Sequence, residues 1–242
     1  RIGHAAVCFE DGAVVTTGGD TSAGAQGDVC TTTAGGTTLT PVTQTSFPRQ
    51  PGDQGRAMHA IARVPGSLGA FLVICGRYWL SGGAQSFAPF NDALLTTDRG
   101  ASFVTKSNDV FTSERTNAGL VALDATTFVA LGGHAPNGYS NEVRKSADSG
   151  ANWVTLRGEG GANAPSAGCR ALDDIFPARS TFGHTYMPLM ARIVVAAGSI
   201  SNYAKDVWYT DTNTVAAPVG KCWKKGGDID TLGGGYNGPA LI

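Results

Sequence analysis

LGGHAPNGYSNEVRKSADSGANW, residues 131–153, decides how the chain is read. It holds a Gly-Gly pair, a polar segment with one aromatic residue, a run of strand character over 141–144, and an octet over 146–153. The octet reads Ser-x-Asp-x-Gly-x-x-Trp. A weaker copy, Thr-x-Asp-x-Gly-x-x-Phe, occupies 96–103. Two copies of so specific a spacing point to repeats, so the repeat is sought before any single element.

Working outward, four units appear. In the first, 5–9 and 13–17 are apolar or Thr-rich runs joined by the turn Glu10-Asp11-Gly12. Gly18-Gly19 close the second run, Gly27-Asp28-Val29-Cys30 opens a third, and 38–43 gives a fourth. Strand, turn, strand, loop, strand, turn, strand is a four-stranded antiparallel meander. The pattern recurs with unit boundaries near 1–48, 49–111, 112–168 and 169–235, and 236–242 resembles the first strand of a next unit. Gly19 to Asp28 and Gly133 to Glu142 are equal steps. In the second unit both Gly76 and Gly82 are candidates for the matching glycine, and the same step counted back from Asp92 favours Gly82-Gly83. Runs such as 71–75 and 193–197 are apolar without alternation, as expected of strands covered on both faces. The fold expected is all-β: a single propeller domain over 1–242, with four blades plus the start of a fifth, part of a larger ring or completed by a partner.

Composition supports this and excludes much else. There are 34 Gly, and charged residues make up 15%, which suits short strands and tight turns. The formal net charge of −1, without like-charge blocks, argues against nucleic acid as a partner. No apolar run is long enough for a membrane span. The five Cys (Cys8, Cys30, Cys75, Cys169, Cys222) show no CxxC spacing and so no zinc site. Cys169 and Cys222, in loop contexts, are the expected disulfide, while Cys8 and Cys75 read as buried thiols in strands. Few Lys, much Thr and Gly, and pairable Cys favour an extracellular or cell-surface location.

The glycines that close second strands, the Asp/Glu-Val start of third strands and the Arg and Gly-His openings of first strands resemble kelch-repeat propellers. The two octets are similar to the Asp-box motifs of sialidase-type propellers. The first and fourth units depart from that box: 31–33 lack the Asp, and Thr210-Asp211-Thr212 lacks the spaced Gly and aromatic. The resemblance implies that Thr96, Asp98, Gly100 and Phe103, and Ser146, Asp148, Gly150 and Trp153, are turn devices away from the ligand face. It is evidence of fold and not of sialidase activity.

Candidate chemistry lies on the face carrying the second-to-third strand loops. Phe87, Phe90, His134, Asn137, Tyr139, Asn202 and Tyr203 place aromatic rings and amides there, as a protein- or glycan-binding surface does. Arg1, Arg56, Arg115 and Arg179 precede the first strands, where guanidinium groups can bind carboxylates or bridge within the structure. His4, His59 and His184 recur on the first strand, lining the channel, and are expected to bond a neighbouring blade and hold no metal. Of Glu10, Glu114, Glu142 and Glu159, none stands beside a Tyr as sialidase chemistry requires. The expected function is a non-enzymatic propeller that binds protein or glycan, without a cofactor. A glycan-active enzyme of sialidase or galactose-oxidase type and a structural protomer of an extracellular fibre or shell are the alternatives.

Overall fold

The computed structural model describes residues 1–22, 24–42, 55–79, 87–158, 169, 175–200, 202–210 and 219–228. They form a four-bladed β-propeller. Blade I contains β1 (Ala5–Cys8) and β2 (Val14–Thr17), a loop ribbon of β3 (Asp20–Thr21) and β4 (Gly24–Ala25), then β5 (Val29–Thr31) and β6 (Thr40–Pro41). Blade II contains β7 (Ala60–Arg63) and β8 (Phe71–Ile74), a ribbon of β9 (Arg77–Trp79) and β10 (Phe87–Pro89), then β11 (Ala93–Thr96) and β12 (Val104–Ser107). Blade III is β13 (Gly119–Ala122), β14 (Phe128–Ala135), β15 (Gly138–Ser146) and β16 (Val154–Arg157). Blade IV is β17 (Gly183–Met187), β18 (Arg192–Ala196), β19 (Asp206–Thr210) and β20 (Trp223–Asp228). Each blade is an antiparallel meander in chain order. The first strands stand side by side, β1 against β7, β7 against β13 and β13 against β17, around a central channel of about 710 Å³.

A repeated backbone turn joins the blades. Just after the second strand of blades I, II and IV, and within that of blade III, lie two residues in the left-handed region: Gly18-Gly19, Cys75-Gly76, Gly132-Gly133 and Ala197-Gly198, with φ of 52–57° and then 97–102°. The second N–H donates to the carbonyl of the arginine opening the next blade: Gly19 to Arg56 at 2.8 Å, Gly76 to Arg115 at 2.9 Å, Gly133 to Arg179 at 2.9 Å. A parallel string runs through the left-handed residues Gly3, Met58, Asn117 and Thr181. There Met58 donates to Gly3 (2.7 Å), Asn117 to Met58 (2.8 Å) and Thr181 to Asn117 (3.3 Å).

Packing follows the two-residue period of a strand. In blade II, Phe71 and Val73 join Val7, Val15 and Val29 of blade I, whereas Leu72 and Ile74 join Leu120 and Phe128 of blade III. In blade III, Val129, Leu131 and Val143 meet Ile193, Val195 and Trp208 of blade IV. Central blades are therefore buried on both faces, as their unalternating apolar runs imply. Blade I and blade IV alternate in burial along β2 and β18, because only one face of each lies against a neighbour in the described residues.

Several expectations need correction. The second unit's glycine is Gly76, since its φ and its bond to the next arginine match the other blades. The equal-step rule fails because the β9–β10 ribbon lengthens that loop, and Gly82-Gly83 lie outside the described residues. His184 sits two positions beyond the place of His4 and His59, for the register pairs Gly183, Ala60 and Ala5 alike with the last residue before the left-handed pair. Two residues along a strand restores the same face, so the ring still points inward. Cys8 is exposed, and Cys75 is buried in the left-handed turn and not in a strand. Cys169 and Cys222 are joined, with S–S 2.04 Å. Residues 236–242 lie outside the described residues. No helix among the described residues is long and apolar enough to cross a membrane.

A Cβ on Gly76 would meet the Ala57 carbonyl oxygen at 2.7 Å and His59 Cβ at 2.8 Å. Gly76→Ala is therefore expected to lower unfolding free energy by about 2 kcal/mol or more. Cys75→Ala installs the residue that blade IV carries at that point and is expected to cost about 1 kcal/mol or less. Urea unfolding of the two variants tests the contrast.

Candidate functional site

The arginines occupy the loop face but do not offer open guanidinium groups. Each clamps an acid of its own blade, at the start of the third strand in blades I, II and IV and within it in blade III. Arg1 meets Asp28 at 2.7 and 2.6 Å, Arg56 meets Asp92 at 2.7 and 2.6 Å, and Arg179 meets Asp206 at 2.7 and 3.0 Å. Arg115 donates to Glu142 at 2.8 Å, and Glu142 also accepts from Arg144 at 2.9 Å. Arg56 and Arg179 donate further to the carbonyls of Cys75 (2.6 Å) and Ala197 (2.7 Å), the first left-handed residues. An aromatic ring covers each buried one: Phe90 over Arg56 at 3.9 Å, Phe111 by Arg115 at 5.0 Å and Phe176 by Arg179 at 5.9 Å. Arg56, Arg115 and Arg179 are at most 1% exposed. Of the two readings of the arginines, binding carboxylates or bridging within the structure, the contacts are those of bridging, and Phe90 is part of that packing. Burial pushes Asp206 up, but hydrogen bonds from Arg179 and Trp208 outweigh it and hold its carboxyl below the usual value.

The octets lie at the opposite ends of these strands, between third and fourth strands. Ser146 Oγ donates to Asp148 at 2.8 Å and accepts the Gly150 N–H at 2.9 Å, and Asp148 accepts the Asn152 N–H at 2.9 Å. Trp153 Nε1 donates to the Gly150 carbonyl at 3.0 Å. Thr96, Asp98, Gly100 and Ser102 repeat the arrangement, and Phe103 packs edge-on against Phe71. Gly150 and Gly100 each lie against the preceding blade, on Leu72 and on Val29. The structure also corrects the reading of the outer units. Thr32 and Thr210 stand in the place of Ser146, and their hydroxyls accept the N–H of Val14 and of Ile193, both at 2.9 Å. Gly220 has φ 100°, and its carbonyl accepts from Trp223 Nε1 at 2.8 Å, as Gly150 does from Trp153. An insertion after Thr210 hides this counterpart in the sequence.

Among the described residues, a cleft of about 550 Å³ opens on the loop face between blades II and III. Met58, Arg77, Pro89, Asn117, His134 and Pro136 line it. His134 is the single member among the predicted binding residues. Arg77 is held by Asp20 of blade I at 2.7 Å. The polar segment around His134 is a ribbon and not a loose loop: His134 pairs with Tyr139 and Ala135 with Gly138, leaving Asn137 exposed in the turn. The Tyr139 hydroxyl lies 3.0 Å from Ser199 Oγ in blade IV, and Ser199 bridges to Tyr203, which is 58% exposed beside exposed Asn202. So the structure joins Tyr139, Asn202 and Tyr203 along one rim and sets Phe90 apart. The backbone at Phe87 pairs with Trp79; its side chain lies outside the description. Met58 went unseen because Met gives no signal of a left-handed turn, whereas Asn117 is of a type that favours that region. Alignment to Gly3, the third residue of the first unit, was the available signal.

Two of the three channel histidines bridge blades. His59 Nε2 lies 2.6 Å from Thr17 Oγ1, and His184 Nε2 accepts the Leu120 N–H at 3.2 Å. Burial, then the charges of Arg56 and His4, push His59 down to about 3. Burial also lowers His184. Among the described residues no three His, Cys, Asp or Glu side chains gather as a metal site requires. No protein-family model matches the chain, and no curated protein matches it significantly.

Two predictions follow from burial and protonation. Glu142→Leu leaves Arg115 buried without its acid and is expected to cost about 3–5 kcal/mol. Asp28→Ala breaks the same clamp where both partners are more than a third exposed and is expected to cost about 1 kcal/mol or less; urea unfolding compares them. His59 stays neutral in the fold while the unfolded residue takes a proton near 6.5. Stability therefore holds above that pH and falls below it, by up to about 1.4 kcal/mol per pH unit for such a histidine. The Asn152 amide and backbone N–H hold Asp148 down at about 2, so a further loss begins below about pH 4 as the unfolded carboxylate protonates first. Unfolding curves from pH 7 to 5 should be flatter for His59→Gln than for the parent.

Proposed function

We propose that the chain is a kelch-like propeller with Asp-box turns that acts outside the cell as a binding scaffold, taking a protein segment in the cleft between blades II and III. The observation that carries this reading is the cleft itself. Its walls are largely apolar (Met58, Pro89, Ala135, Pro136), with a few fixed polar groups from Arg77, Asn117 and His134. That mix suits recognition, in which apolar contact gives affinity and sparse polar groups give orientation. The apolar walls favour a peptide over a glycan. Glycans remain suited to the rim, where Tyr139, Asn202 and Tyr203 expose rings and an amide. The two strings of backbone bonds and the buried clamps keep the cleft walls rigid, which lowers the entropy lost on binding. The Cys169–Cys222 disulfide accords with an oxidising compartment. Glycoside chemistry finds little support here, since Glu142 is locked between Arg115 and Arg144 and Glu10 meets Arg63 at 3.0 Å.

Peptide display and a glycan array, each probed with the parent and with His134→Ala, test the proposal. A peptide bound by the parent and held at least about tenfold more weakly by the variant is the expected result. Peptide ligands indifferent to His134 would overturn it. Ligands found only among glycans, or turnover of a sugar substrate lost in His134→Ala, would replace it with the glycan-binding or enzymatic reading.

A further inference from the structure

The two strings of blade-to-blade hydrogen bonds stop at the same pair of blades and leave complementary ends. Gly198 N–H stands where Gly19, Gly76 and Gly133 donate, and the Arg1 carbonyl stands where the next arginine accepts. In the second string the leftover acceptor is the Thr181 carbonyl and the leftover donor is Gly3 N–H. Among the described residues none of these four backbone groups has a backbone partner. Blades IV and I of one chain therefore do not make the junction that the other three pairs make.

The adjoining sheet faces match in the same sense. Register puts Val14 and Cys30 of blade I where blade II has Phe71 and Leu94, which are wholly buried in a blade interface. It puts Val194 and Val207 of blade IV where blade II has Leu72 and Ala93, also wholly buried. All four are only half-buried. Blade I further carries the exposed thiol of Cys8 on that face, in a chain whose Cys169 and Cys222 are oxidised. Apolar side chains in interface positions, together with thiols on the same surface, mark a face that is covered.

We propose that the outer face of blade IV docks on the outer face of blade I of a second copy of this chain, head to tail, continuing both strings. The occupant follows from complementarity: the surface with the donor, the acceptor and the apolar row that fit blade IV is blade I. Two such junctions close a ring of two copies, and a geometry that does not close gives a longer head-to-tail series.

Sedimentation velocity over a range of concentrations reads the association. The parent is expected to associate, while Val14→Glu and Val194→Glu, on opposite faces, are each expected to be monomeric with an unchanged near-UV spectrum. Mixing the two variants should restore one junction, because each keeps the face the other lacks. If a glutamate variant fails to fold, a short bismaleimide in the Cys8→Ser background supplies the second measurement. It should link Cys30 of one copy to an added thiol in Val207→Cys of another. A parent that stays monomeric overturns the proposal, with these faces then covered by other parts of the same chain. Association that persists in both folded glutamate variants, or no cross-link dependent on Val207→Cys, overturns it equally.

Discussion

The hydrogen bond from the second glycine of each left-handed pair to the arginine carbonyl of the next blade is the contact on which the rest depends. It needs a backbone N–H presented at φ near 100°, with no Cβ in the way, because the chain entering the first strand of the same blade passes 2.7–3.0 Å from where that Cβ would stand. Only glycine meets both conditions. The same turn leads the second strand into the loop face and ties each blade to the next. The cleft between blades II and III is bounded by two such turns and by the left-handed Met58 and Asn117.

The arginine that supplies the carbonyl also supplies the clamp. Its guanidinium holds the acid of the third strand and, in blades II and IV, the carbonyl of the first left-handed residue as well. One residue thus ties the start of the first strand, the end of the second and the start of the third. Blades I, II and IV share a two-pronged Arg–Asp clamp, blade III has a single Arg115–Glu142 contact, and burial differs among the four. Arg115 and Glu142 are sealed from solvent, so removing one partner strands a charge, whereas Arg1 and Asp28 face water that can replace either. The clamps also explain why a ring of arginines does not amount to an anion site: its positive charge is already matched.

Much of the architecture was legible in the sequence. The glycine pairs, the Asp/Glu-Val openings and the two octets give four meanders, and unalternating runs such as 71–74 foretell double burial. The misreadings have local causes. Gly76 was passed over because an inserted ribbon broke a constant step, and Gly220 and Trp223 were passed over because an insertion follows Thr210. Cys75 and Ala197 take left-handed backbone that their side chains do not advertise. Of the candidate residues, His134, Tyr139, Asn202 and Tyr203 were singled out because loop residues of those types stand out, and the structure leaves all four exposed. Met58, Arg77 and Pro89 join the cleft only through the packing of blades remote in sequence.

By itself the sequence determined the repeat, the strand order within each blade and the residues that make its turns, since these depend on spacing and on glycine's conformational freedom. Only the tertiary structure decided that the arginines are consumed by acids 27 to 36 residues away and that, among the described residues, a cleft opens between blades II and III while the outer faces of blades I and IV meet no further blade. Those outcomes turn on which surfaces meet and exclude water. Strand periodicity says that a face is apolar, and it is silent on which other face covers it.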